Sequence, residues 1–186
     1  MKHKKSQITQ ALCTSSQAGF YRSRFDISGT MGALYWQLND VWTTVSWASI
    51  DFSKRFKPLH YEMKKIFSSP ISLVTNHNTN DILEVFVVSD NSEEIYVDLE
   101  IENFIWTSLE TQGKLTKKNI KITGNKGNLI LKEHIGFILQ ELNCPFSNWE
   151  LCFLNVVIVS IIKGAYIFGH FAPIFCNEKF VGEQFL

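Results

Sequence analysis

Five residues within a twelve-residue window carry the most distinctive chemistry in this sequence: Trp36, Asn39, Asp40, Trp42 and Trp47. An indole face can stack on the C–H face of a sugar ring. An amide and a carboxylate can exchange hydrogen bonds with neighbouring hydroxyls. Aromatic rings beside such groups on one loop suit a carbohydrate site, with Trp36, Asn39, Asp40 and Trp42 as the candidate sugar-binding residues. Trp47, within Ser46-Trp-Ala-Ser49, reads instead as packing in a turn. Asp40 and Asp51 are the carboxylates nearest this loop, but an aspartate that follows a strand more often caps a turn than acts as a base. His60 and Glu62 fall on one helix and read as packing or solvated groups. Ser49 and Cys13 have no base in a recognisable arrangement, so no acyl-transfer site is read.

The elements needed to position that cluster can be read around it. Ile8, Leu12, Phe20, Tyr21 and Phe25 recur at roughly helical spacing over residues 6–25, with Ser6 as a candidate cap. Residues 31–38 form an apolar run between Gly29 and Asn39-Asp40, which suits a buried parallel strand ending where the loop begins. Pro58 fits the first turn of a helix, and Leu59, Met63, Ile66 and Phe67 follow as one apolar stripe, closed by Ser68-Ser69-Pro70. Helix, buried strand, long loop and helix together match the last unit of a βα-repeat protein.

Beyond Pro70 the texture changes. Runs rich in β-branched and aromatic residues occur at 71–74, 82–88, 95–101, 120–122, 129–131 and 151–159, separated by Asn-, Asp- and Gly-rich turns. Short strands at this spacing predict an immunoglobulin-like β-sandwich. The expected organisation is therefore a βα-repeat part over 1–68, a sandwich over 69–160 and an apolar tail over 161–186. The fold class is α/β plus all-β.

Composition narrows the partners. The chain has 186 residues, 45% hydrophobic and 13% aromatic, which is globular rather than disordered. Its 18 basic and 18 acidic residues cancel, so nothing draws it to nucleic acid or to an anionic membrane surface. The apolar stretch 151–175 is interrupted by Asn155, Lys163, Gly164 and Pro173, so a core strand with a tail is preferred to a membrane segment. The four cysteines form no metal-binding pattern, and no metal or cofactor is implied. Cys144 and Cys152 either bridge in an oxidising compartment or stay as free thiols. The basic amino terminus is not followed by an apolar stretch, so no signal peptide is read, and no Asn-x-Ser/Thr sequon occurs.

The run from Thr30 through Trp36-Gln-Leu-Asn-Asp40, then Trp42 and Ser46-Trp-Ala-Ser49, resembles the eighth barrel strand and active-site loop of the β-mannosidases of glycoside hydrolase family 2. Phe20-Tyr-Arg-Ser-Arg24 before it and Phe56-Lys-Pro-Leu-His-Tyr61 after it extend the likeness, which is strong over about 18–67 and weak after about Ser160. The resemblance implies a carboxy-terminal fragment of a retaining exo-hydrolase that removes terminal β-linked mannose from oligosaccharides of glycoproteins in the lysosome. It also implies a TIM (βα)8 barrel followed by sandwich domains, with Trp36 as the floor of the sugar subsite and Asn39 or Asp40 ordering the loop or contacting hydroxyls. Such hydrolysis needs an acid/base carboxylate and a nucleophile about 5–5.5 Å apart. In the family these follow the fourth and seventh strands, and no residue here takes either role. The chain alone is therefore expected to be inactive. The competing reading is a non-catalytic β-sandwich module that binds a glycan or a protein.

Overall fold

The computed structural model describes residues 2–25, 28–67, 71–77, 80–107, 110–144, 151–162, 165–168 and 172–175. Two compact units emerge. One comprises Met1–Asn76, Phe86–Glu93 and Thr123–Asn128, and the other His77–Val85, Glu94–Ile122 and Leu129–Leu186.

The first unit is built on α1 (Lys2–Ser23) and α2 (Pro58–Ile66). The helix expected over 6–25 begins earlier, so Ser6 lies inside it and does not cap it. The buried face of α1 is made of small residues, Ala11, Ser15, Ala18 and Gly19, at i, i+4, i+7 and i+8. Its larger side chains Ile8, Leu12, Phe20 and Tyr21 stay exposed. A stripe of small residues lets a second helix approach closely, and Ala11 and Ala18 form one core cluster with Leu59 and Met63 of α2. In α2, Pro58 occupies the first turn after an extended Lys57, and Lys64 and Lys65 sit in the last turn, where they complement the helix dipole. Arg22 ties the pieces together. Its guanidinium donates to the carbonyl of Ile66 and forms an ion pair with Asp90 at 2.6 Å.

The strands form two sheets. The first has the order β1 (Ile71–His77), β2 (Ile82–Ser89), β5 (Lys126–His134). The second has β4 (Thr111–Ile122), β3 (Ile95–Ile105), β6 (Cys152–Ile162) and β7 (Ala165–Phe168), with β8 (Ala172–Phe175) also on β6. Every pairing in this second sheet is antiparallel. Predominantly antiparallel sheet with few helices matches the expected β-sandwich. On β3, Ile95, Val97, Leu99, Ile101 and Asn103 are buried at alternate positions, the period-2 pattern of a strand with one face in the core. The edge strand β4 is mostly exposed and carries Lys114, Lys117, Lys118 and Lys121, charges that discourage pairing with another chain. Its bulge opposite Asp98 contains Asn119 at φ 59°, and the Asp98 carboxylate accepts the Asn119 N–H at 2.7 Å.

Two features of the second unit lie outside the expected strand pattern. A short helix, α3 (Ile135–Glu141), follows β5; it is capped by His134, whose Nδ1 accepts the Gly136 N–H at 3.1 Å. The carbonyl of Leu142, at the end of α3, accepts a hydrogen bond from buried Asn103 at 3.1 Å. Gly113 lies opposite Asn103 in the ladder, and a Cβ there would come within 2.7–2.9 Å of the Leu142 backbone, so only glycine admits this approach. Cys144 and Cys152 are joined in a disulfide, the first of the two alternatives left open by the sequence.

The run 31–38, expected as a buried parallel strand, is neither a strand nor buried. The isolated bridges Asn39–Ile50 and Ile50–Phe56 lie beyond its end, and the carbonyls of Gln37 and Leu38 accept the N–H groups of Ser49 and Ile50. Met31 and Leu34 are largely exposed. A parallel strand is held by neighbours on both edges and covered on both faces. Among the described residues no strand pairs with this run.

Candidate functional site

The candidate site is the loop from Trp36 to Lys57, folded on itself by backbone hydrogen bonds. Asp40 N–H donates to the Ile50 carbonyl at 2.9 Å, Ile50 N–H to Leu38 at 2.9 Å, Ser49 N–H to Gln37 at 3.1 Å and Lys57 N–H to Ser49 at 2.9 Å. Ser49 is fully buried beneath the loop. Its hydroxyl donates to the Leu38 carbonyl and meets the Tyr35 hydroxyl, each at 2.9 Å. Gln10 of α1 donates to the Trp47 carbonyl at 2.7 Å, anchoring the far limb of the loop. The Trp36–Gln37 peptide bond is cis.

This folding leaves a cleft of about 360 Å³ lined by Trp36, Gln37, Asp40, Val41, Trp42, Thr44, Val45, Ser46 and Trp47. Three indoles thus share one concavity, and all three are more than 60% exposed. Trp36, Asp40 and Trp42, singled out by their spacing, come together here. Asn39 does not line the cleft; it is exposed, and its amide donates to the Asp40 carbonyl at 3.3 Å. Trp47, read from the sequence as packing, lines the cleft instead. His60 stacks on Phe56 with ring centres 4.3 Å apart, and Glu62 pairs with Lys65 at 2.7 Å, so neither is aimed at the cleft.

The carboxylate of Asp40 is the electrostatic centre of the loop. Its side chain is only 1% exposed and pairs with Lys57 Nζ at 3.1 Å. The Ser46 hydroxyl donates to its other oxygen, and Ser46 Oγ in turn accepts the Ala48 N–H at 3.0 Å. Lys57 Nζ also reaches Ser46 Oγ at 3.4 Å and the Ser46 carbonyl at 3.5 Å. Sequence reading missed Ser46 and Lys57, because side chains 6 and 17 residues away from Asp40 share no periodicity with it. The Ser46 hydroxyl, and then the Lys57 ammonium, hold the Asp40 carboxyl below its ordinary 3.8, against the opposing effect of burial. Asp51 is likewise lowered, first by the Arg55 backbone N–H at 2.9 Å and then by the Arg55 side chain at 2.7 Å.

A carboxyl whose folded pKa is depressed adds stability above its unfolded pKa of about 3.9 and loses it as pH falls through the folded value. The loop is therefore expected to keep its shape from neutrality down to about pH 5 and to loosen only below about pH 4. Tryptophan emission followed during acid titration checks this. A spectral change centred at pH 6 would contradict it.

Among the described residues no group of three or more His, Cys, Asp or Glu could hold a metal ion. No described helix is long and apolar enough to cross a membrane.

Comparison with known proteins gives this geometry its context. No family model matches the chain. It is 30% identical over 155 residues to the β-mannosidase of Mus musculus and 37% identical over 155 residues to that of Rattus norvegicus. Each alignment covers 81% of this chain and 17% of the relative, so the chain spans about a sixth of the length of these curated proteins. Its structure superposes on the β-D-mannosidase of Dictyoglomus thermophilum with a TM-score of 0.67 and 26% identity, over 91% of this chain and 19% of that one. A mostly antiparallel fold and an indole-walled cleft, set beside these likenesses, define a chain of glycoside-hydrolase type. Within that class it is a β-mannosidase-like fragment.

Proposed function

We propose that this chain is part of a retaining exo-β-mannosidase and supplies one wall of the subsite that holds a terminal β-linked mannose. The observation that carries the proposal is the convergence of Trp36, Trp42 and Trp47 on one cleft, in a segment alike to β-mannosidases. Trp36 is the stacking floor, Trp42 a second wall, and Asn39 and Asp40 order the loop or meet sugar hydroxyls. In this reading residues 1–68 are the carboxy-terminal part of a TIM-barrel catalytic domain, whose other strands would pair with the run 31–38. Residues 69–160 form an immunoglobulin-like sandwich, and 161–186 are a divergent apolar extension. The Cys144–Cys152 bridge supports folding in an oxidising compartment, in keeping with a secretory route to the lysosome.

The fragment is expected to be inactive on its own. Retaining hydrolysis needs two carboxylates about 5–5.5 Å apart, whereas Asp40, the one carboxylate lining the cleft, is turned inward onto Lys57. Incubation with p-nitrophenyl β-mannoside should release no nitrophenolate above background, while methyl β-mannoside should perturb tryptophan fluorescence. Turnover well above background would overturn the inactivity. Equal responses to methyl β-mannoside and to a non-sugar polyol would overturn the mannose subsite.

A further inference from the structure

We propose that Lys57 is a positioning residue: by holding Asp40 and Ser46 together, its ammonium fixes the tryptophan loop in the shape that receives a sugar ring. This deepens the mannose-subsite reading and rests on it.

The geometry is specific. The segment from Asp40 to Ser46 leaves and returns to one point, because the Ser46 hydroxyl donates to Asp40 and Lys57 Nζ sits within 3.1–3.5 Å of both residues. Trp42 lies inside that closed stretch, and Trp47 is the next residue after it. Four of the residues between the two ends, Val41, Trp42, Thr44 and Val45, line the cleft, so closing the ends sets the distance between its walls. Lys57 is itself held at both its backbone and its side chain. Its backbone N–H is bonded to Ser49, it immediately precedes Pro58, and its side chain is only 10% exposed.

Apolar packing cannot do this work, since Val41, Trp42, Val45 and Trp47 are exposed and contribute little to holding the loop. The loop's order must come from its polar contacts, and the buried ion pair is the strongest of them. A buried charge left without its partner is strongly disfavoured, so neither residue alone can hold the loop in the closed arrangement. Asp40 accordingly acts through the loop, with its carboxylate engaged by Lys57 and Ser46.

The test compares the full chain with Lys57→Met, Lys57→Arg and Ser46→Ala. Backbone hydrogen exchange over residues 38–50 reads loop order without any ligand, and exchange over 152–159 reports on the second unit. Lys57→Met should speed exchange in the loop by at least about tenfold and leave 152–159 unchanged, since local opening is independent of the global transition. Lys57→Arg, which keeps the charge, should restore most of the protection. Ser46→Ala should give an intermediate increase, and it carries the test if Lys57→Met fails to fold. Titration with methyl β-mannoside should lose affinity in the same order as protection is lost. Loop exchange unchanged in both Lys57→Met and Ser46→Ala would overturn the proposal. Affinity unchanged despite a loosened loop would overturn it too. Should the unmodified chain take up no mannoside, the subsite reading fails while exchange still decides whether Lys57 orders the loop.

Discussion

Replacing Leu154 by alanine is expected to lower the stability of the chain by about 2–5 kcal/mol. Leu154 is fully buried in β6 and pairs with Asn103 of β3. Strand β6 is paired to β3 on one side and to β7 and β8 on the other, so it lies inside the sheet rather than at its rim. A cavity in the middle of such a strand cannot close by movement of a free edge. The substitution therefore forfeits both the transfer free energy and the dispersion contacts of the lost atoms. Against a total folding free energy of about 5–15 kcal/mol, this is a large fraction. Urea unfolding followed by far-ultraviolet circular dichroism measures it. Lys117→Ala, at an exposed position on the edge strand β4, is the control and should change stability by no more than about 0.5 kcal/mol. A Leu154→Ala midpoint indistinguishable from that control would mean that β6 is not a core strand.

The parts of the fold that could be read from the sequence are those where local and tertiary demands agree. Strand β3 alternates because one face meets the core, and α2 starts at Pro58 because the proline's missing N–H costs nothing there. Only residues 120–122 of β4 were expected as strand, although it runs from Thr111. An edge strand rich in lysine shows neither alternation nor β-branched density, since its place is set by pairing with β3. Helix α3 is 7 residues long, too short for periodicity to separate it from a strand. The apolar run 31–38 misled in the opposite sense. Its composition suits a strand covered on both faces, yet no described strand pairs with it.

The site divides along the same line. Residue type and spacing brought out Trp36, Asp40 and Trp42, because aromatic and polar groups crowd together there in sequence as well as in space. Lys57 and Ser46 escaped because their contribution exists only once the loop has folded back on itself. A lysine beside a proline reads as an exposed charge, whereas here it is 9% exposed and salt-bridged. Trp47 was assigned to packing because the small residues around it, Ser46, Ala48 and Ser49, looked like a tight turn. Ala48 and Ser49 are indeed buried, but the indole just before them is exposed and lines the cleft.

Removing the Cys144–Cys152 disulfide is expected to lower stability by about 2–3 kcal/mol, the chain-entropy value for so short a loop. The two cysteines are eight positions apart, and the bridge connects the segment after α3 to the first residue of β6. Both ends are held independently. The Cys144 N–H donates to the Leu139 carbonyl at 2.8 Å, and Cys152 pairs with Ile105 in the β3–β6 ladder. Native geometry thus survives without the bond, and the loss falls mainly on the unfolded chain, which gains freedom. The double variant Cys144→Ala, Cys152→Ala should therefore melt lower by several degrees, yet keep its circular dichroism spectrum and its protection in β3 and β6. Both sulfurs lie in nearly inaccessible residues, so thiol reductant should act on the native protein only slowly and become effective as the chain opens. Counting free thiols by mass spectrometry after mild reduction, alongside the melt, separates the two effects. Equal melting temperatures for the bridged chain and the double variant would show that the closed loop contributes nothing, and would leave Leu139 and Ile105 as sufficient anchors for this corner of the second unit.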